Sequence, residues 1–383
     1  GVPGPPASGG GRGGVRGGRW EWPGAEVKWG TETTGSESGE AIGAADPGNM
    51  LDRIKELPPQ FRDAWKIGQA ATLPPHFGDV RNITVLGMGG SAIGGEFAGA
   101  LLLDELKVPL AVHRDYGLPA YVGRDSLVIA SSFSGNTEET LSGLEEARKR
   151  GARIVGITTG GKVAEQAKAY SFPLITFDYQ AQPRAALGYS LALVLGVLSK
   201  LGFAKDVGAQ IDQALIDLAK LEERVHEGAK TNDAKKLAVE LYGKLPVAFG
   251  AGVMGVMARR VKDQWNENAK NWASYDVMSE LNHNAVVGFP QPPVARDALV
   301  VLLLRSARDN ARHQIRFDVT RELLDRANIL HRTLEFPGAS MLSEVLQMVL
   351  FTDYVSFYVA LLNGADPSPV TSIDYLKDRL AKA

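Results

Sequence analysis

The chain has 383 residues, 44% of them hydrophobic and 22% charged, with 42 basic against 44 acidic side chains and no cysteine. That length suits two domains or two halves of one large α/β unit. The near-zero balance gives no basic surplus for a nucleic-acid partner, and the missing cysteines exclude disulfide scaffolds, Cys-ligated zinc and Cys nucleophiles. Neither a membrane-spanning run nor a secretory signal is read: the longest apolar stretches are the short 298–304 and 346–362, the latter interrupted by Asp353. A cytoplasmic protein is expected.

Fifteen of the 43 glycines fall in the first 50 residues, with five prolines. A segment so poor in apolar surface cannot offset its ordering entropy, so residues 1–49 are read as a disordered or tag-like tail, with Met50 as the candidate native beginning. From there the expected elements alternate. Helical spacing covers 51–70; a strand at 83–86 runs into Gly87-Met88-Gly89-Gly90-Ser91 and a helix to about Leu103. A strand at 127–130 ends in Ser131-Ser132-Phe133-Ser134-Gly135-Asn136-Thr137, followed by a helix over 138–150. Strands at 153–157 and 173–177 come next, then a helix after Pro183-Arg184. A charged helical connection spans 205–240. The plan then repeats: a strand at 247–250, a glycine turn, a helix through Lys270, a strand at 299–304, a helix over 309–327 and a strand at 329–334. Helices over 340–362 and 372–381 finish the chain. Strands alternating with helices imply parallel sheets with right-handed crossovers, here in two similar halves: 50–204 with its N-terminal helix, and 241–383 with the C-terminal helices.

Gly87-x-Gly89-x-x-Ala92 and Gly250-x-Gly252-x-x-Gly255 both match the dinucleotide fingerprint as strings. That motif also requires an acidic residue about 20 positions on, at the end of the second strand. Asp104 and Asp115 are misplaced for the first copy and Lys270 stands there in the second, so tight strand–helix packing is the preferred reading and no cofactor is expected. The loop from Ser132 to Thr137 says more. Ser132, Ser134 and Thr137 supply hydroxyls, Gly135 a compact backbone, and the following helix free N–H groups, a cup suited to a phosphomonoester. Simple N-capping by Asn136 or Thr137 is the competing account.

Three residues suit acid–base chemistry. Glu267 stands between two carboxamides, though a surface Glu267–Lys270 pair would also explain it. His283, outside any clear helix, has Asn282 and Asn284 beside it to hold one tautomer. Arg184 sits at a strand-to-helix turn. A carboxylate, a histidine and an arginine near a phosphate cup fit proton abstraction beside a carbonyl. No histidine spacing indicates a metal. Arg308, Arg312 and Arg316 read as a solvated helix face.

With the two glycine-serine loops, Pro183-Arg184-Ala-Ala-Leu187, Asn266-Glu-Asn-Ala-Lys270 and Glu280-Leu-Asn-His-Asn284, residues 50–383 resemble the bifunctional phosphoglucose/phosphomannose isomerases, sugar isomerases of the SIS-domain type. The resemblance implies two flavodoxin-like SIS subdomains and metal-independent interconversion of glucose or mannose 6-phosphate with fructose 6-phosphate through a cis-enediol. It implies that Gly90, Ser91, Ser132, Ser134 and Thr137 hold the phosphate, that Glu267 shuttles the proton and that Arg184 stabilises the enediolate. His283 and Lys377 would assist ring opening, His283 across a homodimer interface. A non-catalytic sugar-phosphate-binding regulator is the alternative.

Overall fold

The computed structural model describes residues 42–382. The tail expected at 1–49 lies outside them up to residue 41, but its last part is ordered. Ile42 is buried in the core. The Asp46 carboxylate accepts the N–H groups of Met50 and Leu51 at 2.8 Å each. A carboxylate at a helix N-terminus satisfies donors that have no intrahelical partner, so the fold begins before Met50.

Among the described residues, nine strands form two parallel sheets. β1 (Asn82–Leu86), β2 (Leu110–His113), β3 (Ser126–Ser131), β4 (Arg153–Thr158) and β5 (Leu174–Thr176) lie in the order β2-β1-β3-β4-β5. β6 (Leu245–Ala251), β7 (Ser274–Met278), β8 (Leu299–Arg305) and β9 (Leu330–Glu335) lie in the order β7-β6-β8-β9. The second sheet repeats the first without its last strand, as a duplication requires. The apolar β3 is buried along its length, as a central strand covered by helices on both faces must be. β2, β7 and the helix Gly161–Tyr170 were missed in the sequence. β2 and β7 are short edge strands of four and five residues, only partly buried.

Two helices are buried almost throughout. Leu187–Lys200 is buried from Leu187 to Leu198, and Met341–Leu362 from Leu342 to Leu361. The second is long and apolar enough to cross a bilayer, a longer run than the sequence suggested, but its most apolar window is 94% buried within the fold. Apolar on every face, it is a core helix. A single hydrophobic cluster runs from Met50 through Leu191 to Leu361, so the halves share a core. The helices Gly208–Val225 and Asp233–Leu241 pack on it between them. Asn232 locks their junction, donating from Nδ2 to the Val225 and His226 carbonyls at 2.7 Å and accepting from Lys235 N–H.

Candidate active site

In an open parallel sheet the crevice lies beyond the carboxyl ends of neighbouring strands whose connections leave in opposite directions. In the first sheet that point is β1/β3, where both glycine-serine loops emerge. Ser91 Oγ accepts the Phe133 N–H at 3.1 Å, tying the loops together. Ser132 Oγ lies 3.0 Å from Thr137 Oγ1, and Ser134 Oγ accepts the Asn136 N–H at 3.2 Å. Gly135 adopts φ +70°, a conformation that only glycine reaches without strain. The capping account fails here. Thr137 precedes the helix Glu138–Lys149 without capping it, and the Asn136 Oδ1 accepts from Lys162 N–H instead. The helix N-terminus therefore keeps its donors, with hydroxyls gathered around it.

The corresponding point of the second sheet, β6/β8, is filled. Ser306 Oγ donates to the Glu344 carboxylate, and Arg308 Nε donates to the same group at 3.0 Å. Glu344 is buried. Asn310 caps the next helix, Ala311–Ala327, through the Arg312 N–H at 2.8 Å. Arg308 thus serves a buried carboxylate rather than the solvated face expected of it. Asp309 and Glu344 would repel a second phosphate.

Gly90 connects the cup to the chemistry. A Cβ there would lie 2.5 Å from the Pro183 carbonyl, so only glycine allows the turn Pro183–Ala185 to pack so closely. That turn carries Arg184, which is 3% exposed. Its Nε donates to Asn268 Oδ1 at 2.6 Å, its Nη2 to the Pro367 and Ser368 carbonyls at 2.6 and 2.9 Å. Nη1 faces the Glu267 carboxylate at 3.3 Å. Burial lowers the guanidinium's pKa from its ordinary value, and Glu267 opposes that shift. Glu267 itself stays 28% exposed at the end of the helix Val253–Glu267, so its carboxylate is paired on one side and open on the other.

Several expected details change. The helix ends at Glu267, not Lys270. Lys270 does not pair with the Glu267 carboxylate; its ammonium donates to the Glu267 backbone carbonyl. His283 lies in a one-turn helix, Glu280–His283, contrary to the expected irregular segment, and is exposed. Asn282 bonds Thr320 and Asn284 bonds Glu280, so the carboxamides fix the turn rather than the imidazole. Lys377 stands on the helix Thr371–Leu380, which buries no residue. The structure brings Arg184 and Glu267 together and leaves His283 and Lys377 facing away from protein partners within the described chain. Among the described residues no three His, Asp or Glu side chains gather as metal ligands.

The sequence reading missed the support behind Arg184. Arg260 donates to the Arg184 carbonyl at 3.4 Å from both terminal nitrogens and pairs with Asp353 at 2.6 Å, where Gln264 adds a hydrogen bond of 3.0 Å. The signal was Asp353, which with Glu344 is one of two charges inside a 22-residue apolar helix. Such a charge needs a partner, and Arg260 was the cation to look for.

The family models for the SIS domain and the bacterial phospho-glucose isomerase C-terminal SIS domain match residues 76–186 and 230–380. A bifunctional phosphoglucose/phosphomannose isomerase of Caldicellulosiruptor bescii is 40% identical over 336 residues, covering 87% of this chain and 99% of that protein. One of Aquifex aeolicus is 36% identical over 305 residues, 79% and 91% respectively. In structure, a hypothetical protein of Thermus thermophilus aligns with TM-score 0.71 at 18% identity, over 91% of this chain and 94% of that one, a likeness of fold. The chain belongs to the bifunctional phosphoglucose/phosphomannose isomerase family.

Proposed function

We propose that this chain is an aldose–ketose isomerase that interconverts fructose 6-phosphate with glucose 6-phosphate and mannose 6-phosphate. The names of its relatives support the substrates. The observation that carries the chemistry is the half-open Glu267 carboxylate held against buried Arg184. A protein that only binds a sugar phosphate has no use for such a base.

The phosphate enters the cup of Ser91, Ser132, Ser134, Thr137 and the Gly90 backbone, where hydroxyls and helix N–H groups supply donors without a neutralising cation. In the open-chain aldose, Glu267 takes the C2 proton and electron density moves to the C1 oxygen; the hydroxyl proton of the C2 oxygen passes to the C1 oxygen as the C2 carbonyl forms, and the carboxylic acid returns its proton to C1. In the reverse direction it returns the proton to C2, and the face of the enediol it reaches decides between the epimers. One carboxylate serves both carbons because they are adjacent. Arg184, its guanidinium fixed at Nε and Nη2, stabilises the developing enediolate without reorganising. The reaction reduces C1 and oxidises C2 of the same molecule, so it needs no external oxidant or reductant. Ring opening needs a further acid and base, and His283 and Lys377 take these roles. Exposed in one chain, His283 is supplied to the site of a second copy in a homodimer. Sugar phosphates are charged and do not cross bilayers, so the place of action is the cytoplasm.

A coupled assay on fructose 6-phosphate with EDTA present, reading glucose 6-phosphate and mannose 6-phosphate separately, tests this reading beside Glu267→Gln. Both products, lost by about 10²–10⁴-fold in the variant, are expected. Binding without turnover would leave a sugar-phosphate-binding regulator, and a full loss with EDTA would replace the metal-independent route.

A further inference from the structure

The helix Val253–Glu267 ends in a turn that closes when the Asn271 N–H bonds back to the Trp265 carbonyl at 3.2 Å. Lys270 occupies the left-handed position of that turn, with φ +53°. Glycine is the usual residue there, because a side chain strains that conformation. The lysine side chain is nevertheless fully engaged. Its ammonium donates to the carbonyls of Glu267, of Pro367 at 3.1 Å and of Pro369 at 2.6 Å. Burial, with Arg184 adding to it, lowers its pKa to about 8, against the opposing pull of Asp366 and Glu267. A strained backbone and a desolvated charge in one residue, beside a catalytic carboxylate, mark a place where position matters more than stability.

What Lys270 grips is the segment leading into the last helix. Pro367 and Pro369 have no N–H, so this stretch offers its neighbours mainly carbonyl oxygens. Arg184 takes those of Pro367 and Ser368, and Lys270 those of Pro367 and Pro369. One further tie is Asn363 Nδ2 to the Ala269 carbonyl at 2.8 Å. The helix that follows, Thr371–Leu380, buries no residue of its own. Its placement therefore depends on the segment and not on its own packing.

We propose that Lys270 is a positioning residue: with Arg184 it clasps the Pro367–Pro369 carbonyls and so sets where the helix Thr371–Leu380, and Lys377 on it, stands relative to the Arg184–Glu267 pair. The kinetic side of this proposal rests on the isomerase reading; the structural side does not.

Lys270→Gly separates the clasp from simple helix termination, because glycine fits the left-handed position and keeps the turn while removing the side chain that makes the clasp. Hydrogen exchange of the full chain at pH 7 is expected to speed up about tenfold or more over 371–380, with the Val253–Glu267 helix unchanged. The melting temperature should hold or rise. With fructose 6-phosphate, kcat should fall about tenfold while KM stays within about threefold, since the phosphate cup is untouched. Wild-type exchange over 371–380 overturns the proposal, and so does faster exchange with unchanged kcat. If the unaltered protein proves inactive on sugar phosphates, the isomerase reading fails and the exchange result still decides whether the clasp exists. Should Lys270→Gly fail to fold, Lys270→Met reads the same quantities.

Discussion

The buried pair behind Arg184 gives a prediction whose size follows from the structure. Arg260 and Asp353 meet at 2.6 Å with side chains 3% and 9% exposed. Burial raises the Asp353 carboxyl from its ordinary pKa, and Arg260 is the largest influence pulling it back. Arg260→Met removes that influence and leaves the carboxyl only Gln264 as a partner. Without Arg260, burial pushes the Asp353 carboxyl further up in the folded variant, while the unfolded chain still ionises it near pH 4. A folded-state pKa raised in this way gives stability that is present below about pH 4 and lost as pH rises toward the raised value. Each pH unit of that window costs about 1.4 kcal/mol, and the full loss is expected at about 3–5 kcal/mol, the range found when one partner of a buried ion pair is removed. Urea unfolding at pH 5, 6, 7 and 8 measures it. The apolar double replacement Arg260→Met with Asp353→Leu should recover most of the stability and lose the slope, because neither member of the buried pair remains. Its activity should stay depressed, since the Arg184 carbonyl has lost both donors. A pH-independent loss, or a double variant no more stable than the single one, would refute the reasoning.

Three further outcomes are expected. Gly90→Ala puts a methyl group 2.5 Å from the Pro183 carbonyl, so the Arg184 turn must shift; kcat/KM should fall about 100-fold in a chain that still folds, read by steady-state kinetics and circular dichroism. Thr137→Val removes one hydroxyl of the cup and the partner of Ser132, so KM for fructose 6-phosphate should rise about tenfold with kcat nearly unchanged. For Lys270, held at about 8, the folded chain releases a proton that the unfolded chain keeps up to about pH 10.5. Stability from this group therefore improves as pH rises from 8 to 10.5, and the melting temperature of the unaltered protein should gain on that of Lys270→Met across that window.

The central strands and the long helices were legible because burial on both faces leaves apolar runs that turn residues punctuate. β2 and β7 were not: both are short and only partly buried, so burial leaves a weaker mark on them. The cup could be read from Ser132, Ser134, Gly135 and Thr137, since a local loop carries its chemistry in consecutive residues. The setting of Arg184 could not. Its partners Asn268, Pro367 and Ser368 lie 84 to 184 positions away, and two of the three contribute backbone carbonyls, which no side-chain pattern announces. Lys270 was misjudged for the same reason: helical spacing pairs it with the Glu267 carboxylate, whereas the left-handed turn carries its ammonium to three carbonyls.

Duplication explains why there is one cup and not two. A repeated fold creates two equivalent crevices, at β1/β3 and β6/β8, and both begin with hydroxyl-bearing loops at strand ends. The first leaves its helix N-terminus uncapped by side chains, and its loop carries no acid before Glu138. The second answers its own donors: Asn310 takes the helix cap, and Glu344 brings a carboxylate to Ser306 and Arg308, where an anion would otherwise sit. On the proposed reading, the second half, relieved of ligand binding, supplies the base. Glu267 comes from the helix after β6, and the Arg184 turn after β5 meets it across the shared core. On that reading, phosphate recognition belongs to one half and proton abstraction to the other. A buried ion pair, Arg260 with Asp353, fixes the junction where the two must agree.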